Sequence, residues 1–148
     1  DDRLIHGQVV TAWAKITKAN RIIVVDDEVA MDEFMVKILK MAAPRSFKIG
    51  IHTIADASEI LKGEDTGERV IVLVKTPKTI EALIENNVEI KELNLGGMGA
   101  IQGRKQFYRN ISISDDERES FKLLERQGIH VYVQIVPDAS AMDIGKLL

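Results

Sequence analysis

Short apolar runs alternate along this chain with segments of helical period. Ile22-Ile23-Val24-Val25, bounded by Arg21 and Asp26, predicts a β-strand over Arg21–Asp26. Phe47–His52, Val70–Val74 and Ile90–Leu95 predict further strands. Ile129–Ile135 predicts another, its Ile129, Val131, Val133 and Ile135 alternating with His130, Tyr132 and Gln134. Continuous apolar runs of this kind suit strands buried on both faces, as in parallel sheets. The gaps are helical in pattern. Val9, Val10, Trp13 and Ile16 share one face after Gly7, and Met31, Phe34, Met35, Ile38 and Leu39 share one face of a second helix ending before Pro44. A short helix is expected over Asp56–Lys62, stopped by Gly63. Thr76-Pro77 opens a fourth, with proline where its missing N–H costs little, and Ile80, Leu83 and Ile84 on its apolar face. Ser114 and Glu117 stand at capping-box spacing before a fifth, with Phe121 and Leu124 facing inward and Gly128 ending it.

This alternation predicts right-handed crossovers and a three-layer open α/β fold, a mostly parallel twisted sheet with helices on both faces. Gln106–Ile113 is too short for a crossover and is expected as a short antiparallel strand at an edge. The 148 residues suit a single domain, 1–148. Composition changes this picture only by exclusion. A net charge of -3 without a basic stripe argues against nucleic acid as a partner. The absence of cysteine rules out disulfides, removes the commonest zinc and iron–sulfur ligand, and suits a reducing cytoplasm. No apolar run reaches bilayer length, and no signal peptide is visible. The chain starts at Asp1 rather than at methionine, which leaves a preceding segment open.

In open α/β sheets the site lies beyond the carboxyl ends of the strands, so each strand-to-helix junction is a candidate. The most informative is Asp1-Asp2-Arg3-Leu4-Ile5-His6-Gly7-Gln8. A neutral imidazole is a competent phosphoryl acceptor near neutral pH. Arg3 supplies a bidentate fork for the phosphoryl oxygens, and the N–H groups of Gly7 and Gln8 at the helix start supply further donors. From residue types alone, a capping or core histidine beside a surface arginine is the commoner outcome.

Other junctions offer rivals. Asp26 and Asp27 after the first apolar run resemble the acidic, Mg²⁺-holding pair of a receiver domain, and Lys75-Thr76-Pro77 its later lysine. Strand count argues against this, because the lysine would come two strands too early. Asp26, Asp27 and Glu28 read better as helix caps and first-turn charge. Gly96-Gly97-Met98-Gly99 with Gly103 departs from the dinucleotide pattern and reads as a loop approaching a partner or a neighbouring loop. His52 and His130 lack metal-ligand spacing, Trp13 reads as core, and Asp115-Asp116-Glu117 as a solvated first turn.

Asp1–Val10, reading D-D-R-L-I-H-G-Q-V-V, resembles the active-site segment of enzyme IIB in the mannose/fructose/sorbose family of the phosphoenolpyruvate-dependent sugar phosphotransferase system. The likeness continues through A-N-R-I-I-V-V-D-D-E-V-A at 19–30, M-A-A-P at 41–44, L-V-K-T-P at 73–77 and N-L-G-G-M at 94–98. It implies that His6 accepts a phosphoryl group on Nδ1 from a IIA phosphohistidine and passes it to a sugar held by membrane subunits IIC and IID. It further implies that Arg3 balances the phosphate charge and that Asp2 orients the loop or that arginine. No bound cofactor or metal is implied. The location implied is cytoplasmic, peripherally associated with the membrane through IIC and IID. A strand normally leads into this loop in the family, and here it is expected to be absent or cut short. A non-catalytic regulatory or binding module of the same fold is the contrasting reading, disfavoured by an intact Arg3 and His6. The sugar and the oligomeric state, a homodimer among the options, stay open.

Overall fold

In the computed structural model, which describes residues 1–7 and 9–148, a short opening loop leads into a π-helical turn, Val9–Trp13, and then α1 (Ala14–Thr17). There follow β1 (Arg21–Val25), α2 (Asp27–Met31), α3 (Glu33–Ala42), β2 (Lys48–His52), α4 (Ile54–Lys62), β3 (Val70–Leu73) and α5 (Pro77–Glu85). The second half holds β4 (Glu92–Leu95), β5 (Lys105–Tyr108), β6 (Ile111–Ile113), α6 (Asp115–Arg126), β7 (His130–Val133), β8 (Met142–Asp143) and a closing 3₁₀ turn. β1 lies between β2 and β3, parallel to both. Its Ile22, Ile23, Val24 and Val25 are fully buried, and burying each contributes roughly 1.5–3 kcal/mol. Successive side chains point to opposite faces. Ile22 and Val24 join a core with Val9, Val10, Val29 and Leu39, while Ile23 and Val25 join another with Ala57, Leu83, Phe121 and Val131. Helices therefore cover both faces, as the alternation predicts.

The sheet is built in two halves. β4 pairs in parallel with β7, and β8 closes that half antiparallel to β7. Among the described residues β3 pairs with β1 alone, and β4 with β7 alone. Between β3 and β4 runs a groove of about 630 Å³, lined along its walls by Val70–Val74 and Ile90–Leu95 and further by Trp13, Leu83 and Phe121. The groove explains why Val70, Ile71 and Val72 are only half-buried although their run predicts full burial.

Several expectations are corrected. Gln106–Ile113 is a two-stranded hairpin apart from both half-sheets, and the antiparallel edge strand is Met142–Asp143, whose two residues are too few to show a period. The second helix is two helices. Asp32 is extended, and its carboxylate accepts N–H bonds from Phe34 and Met35, so it caps a new helix. The predicted stripe is also narrower than read: Leu39 is buried, but Met31, Phe34 and Ile38 face solvent. Ile16 is exposed as well, because the π-helical turn before it widens the helical period that aligned it with Val9.

Candidate functional site

The opening loop lies at the carboxyl ends of both half-sheets. The Asp1 nitrogen donates to the carbonyl of Val74, just past β3, at 3.2 Å. Asp2 N–H donates to the carbonyl of Gly97, just past β4, at 2.9 Å. Leu4 and Ile5 are buried beside Val29 and Leu39, which pins the loop from beneath. To bury Leu4, the backbone takes φ 58 there, a left-handed conformation costing a non-glycine residue roughly 1–2 kcal/mol. His6 emerges beyond this turn with its side chain 17% exposed.

Its Nε2 lies 3.0 Å from Asp1 Oδ2. The Arg3 guanidinium grips the same carboxylate through Nε at 3.2 Å and Nη2 at 3.1 Å, with its side chain 56% exposed. Burial first, then the Arg3 charge, hold the His6 pKa below its ordinary value. The result is a neutral imidazole whose Nε2 faces an acceptor and whose Nδ1 is the nitrogen that Asp1 does not engage.

The glycine-rich loop closes over this carboxylate. A Cβ on Gly96 or Gly97 would stand 3.2 or 3.0 Å from Asp1 Oδ2, too close for any side chain without movement. Asp2 turns away from Arg3: its Oδ2 accepts from Gly99 N–H at 2.8 Å and from Arg104 Nη1 at 3.1 Å. It thus orients the loop rather than the arginine. Arg104 also holds both oxygens of Glu117 through Nε and Nη2. Glu117 is therefore buried, not solvated as read from sequence, and it completes the capping box with Ser114.

Of the sequence-predicted residues, Arg3 and His6 come together on the Asp1 carboxylate, while Asp2 faces the glycine-rich loop and Arg104. Gly7 sits beside them at the helix start, exposed, its carbonyl accepting from Thr11 Oγ1. Gln8 lies outside the described residues. Sequence reasoning missed Asp1 and Arg104. The paired acids of the motif were a signal for Asp1; for Arg104 there was none, since its partner Asp2 is 102 positions away. The rival acidic pair is occupied: Asp26 caps α2 through Val29 N–H and Asp27 accepts from Ile54 N–H, each at 2.8 Å. Trp13, read as core, is half-buried on the groove and donates from Nε1 to the Ile135 carbonyl. Among the described residues no helix is long and apolar enough to cross a membrane.

Fold and site define an open α/β protein that presents a neutral histidine beyond the carboxyl ends of its strands, beside a paired arginine and carboxylate. The family model described as "PTS system sorbose subfamily IIB component" matches residues 1–148, and the chain belongs to that family, the IIB components of a sugar phosphotransferase system. It is 34% identical over 145 residues to the sorbose-specific EIIB component of Lacticaseibacillus casei, covering 97% of this chain and 88% of that protein. It is 38% identical over 148 residues to the mannose-specific EIIAB component of Escherichia coli K12, covering 97% of this chain but 46% of that protein. The chain thus spans less than half the length of that EIIAB relative. The solved IIBSor domain of the Klebsiella pneumoniae sorbose permease superposes with a TM-score of 0.91 at 32% identity, covering 97% of this chain and 89% of that one.

Proposed function

We propose that this domain is a phosphocarrier whose His6 takes a phosphoryl group from a IIA phosphohistidine and delivers it to a hexose held by membrane subunits IIC and IID. The observation that carries this reading is the 3.0 Å contact between His6 Nε2 and Asp1 Oδ2. It favours the tautomer with the proton on Nε2, so the Nδ1 lone pair is left to attack phosphorus. The N–P bond to Nδ1 forms as the donor's N–P bond breaks and its electron pair returns to the donor imidazole. In the second step a sugar hydroxyl oxygen forms the P–O bond. The His6 N–P bond breaks, Nδ1 recovers its lone pair, and the hydroxyl proton leaves to solvent. The protein's part is positioning and charge, as phosphoryl transfer requires.

The exposed Arg3 turns from Asp1 toward the arriving dianion, and the N–H group of Gly7 adds a donor at the helix start. Asp2 anchors the loop. The reaction class is protein-phosphohistidine:sugar phosphotransfer, carried out by a single IIB-like domain in the cytoplasm at the inner membrane face. We also propose that the groove between β3 and β4 takes an extended strand from chain leading into Asp1, whose nitrogen already meets Val74 at the groove's end. A partner donating IIA phosphate, charged from phosphoenolpyruvate through the general phosphotransferase proteins, tests the carrier role. One acid-labile, base-stable phosphate is expected, absent in His6→Ala; label persisting in that variant refutes the assignment. Arg3→Ala should slow transfer in both directions while leaving the fold intact, and normal rates would remove Arg3 from the mechanism.

A further inference from the structure

A buried arginine is unusual enough to need a reason, because desolvating a guanidinium is costly unless its donors are used. Arg104 is such a residue, with its side chain 5% exposed. Gly103, at φ +89, turns the chain immediately before it. Two of its nitrogens hold Glu117, and the third, Nη1, reaches Asp2 Oδ2 at 3.1 Å and the Gly99 carbonyl at 3.0 Å. We propose that Arg104 is a positioning residue for His6, acting through Asp2. The inference rests on the reading of His6 as the phosphoryl acceptor.

The connection runs through named atoms. Glu117 is fixed at the first turn of α6, where its Oε2 accepts from Ser114 N–H at 2.8 Å. Arg104 refers Asp2 to that helix. Asp2 in turn holds Gly99 N–H by its side chain and the Gly97 carbonyl by its backbone. Gly97 packs on the Asp1 carboxylate that meets His6 Nε2. The imidazole is therefore registered against a twelve-residue helix rather than against loops alone, which is how a site is held to a fraction of an ångström. Only a guanidinium reaches both carboxylates at once. A lysine keeps the charge but has neither the planar fork nor the reach for two partners.

A merely structural ion cluster would stabilise the fold without touching the histidine, so the test reads the histidine. Imidazole ¹⁵N NMR of the full chain gives the His6 tautomer, and transfer from a phosphorylated IIA domain gives kcat and KM. In the wild type the Nε2–H tautomer dominates. In Arg104→Lys a tautomer mixture is expected, with kcat for transfer down about 10²-fold, the cost of a misplacement near 1 Å, and KM for the donor unchanged. Adding Asp2→Asn to that variant should change the rate little, because residues acting in one network are not additive. A folded Arg104→Lys with wild-type tautomer and rate overturns the proposal, and so does full additivity with Asp2→Asn. Should Arg104→Lys fail to fold, Asp2→Asn alone carries the test, since it leaves Arg104 on Glu117; an unchanged tautomer there is equally fatal. If the wild type takes no phosphoryl group on His6, the carrier reading fails by itself, and the tautomer comparison still decides whether Arg104 positions the ring.

Discussion

At the scale of single residues, one carboxylate organises the site. Asp1 faces His6 on one side and Arg3 on the other, so a change at either is felt by its neighbour. Because burial and the Arg3 charge hold the His6 pKa below 6.5, the acceptor form persists below that pH. The rate of phosphoryl uptake should rise with pH through a midpoint under 6.5 and then level off. Arg3→Ala removes one of the lowering causes and should move that midpoint upward; a midpoint unmoved or moved down, measured by NMR titration of the ring, contradicts the assignment. The sign for stability is the same. A histidine favoured as neutral in the fold adds stability above its ordinary pKa and loses it as pH falls toward the folded value. Arg3 and His6 were legible in the sequence because they fall within one short motif. Arg104 was not, since its partners are brought to it only by the tertiary fold.

At the scale of elements, patterns of local origin were legible. The β1 run, the Thr76-Pro77 helix start and the Ser114–Glu117 capping box each arise within a few residues, and each is found as read. What escaped was set by geometry at a distance or by one competing polar group. Asp32 breaks an apolar stripe by capping within it, a preference visible in its type but outweighed in reading by the surrounding Met31, Phe34 and Met35. The narrow buried face of α3 makes a sharp contrast testable. Leu39 is 5% exposed and Phe34 is 71% exposed, though both belong to α3. Leu39→Ala should cost about 2–5 kcal/mol in denaturant unfolding, while Phe34→Ala should stay within about 0.5 kcal/mol. Equal losses would mean that the helix is rotated from the orientation described.

At the scale of the whole molecule, the sheet's division matters most. No ladder joins β3 to β4, so amide hydrogens on the walls of the groove should exchange far faster than those of β1, which has a neighbour on each side. A chain carrying the strand proposed to lead into Asp1 should protect both walls together; protection of neither would remove that strand from the groove. Consecutive residues of the opening loop meanwhile tether to different halves, Asp1 to Val74 and Asp2 to Gly97. The opening loop is thus a staple between the two half-sheets. A shift of one slab against the other would therefore pull on the loop that carries His6 through two adjacent tethers.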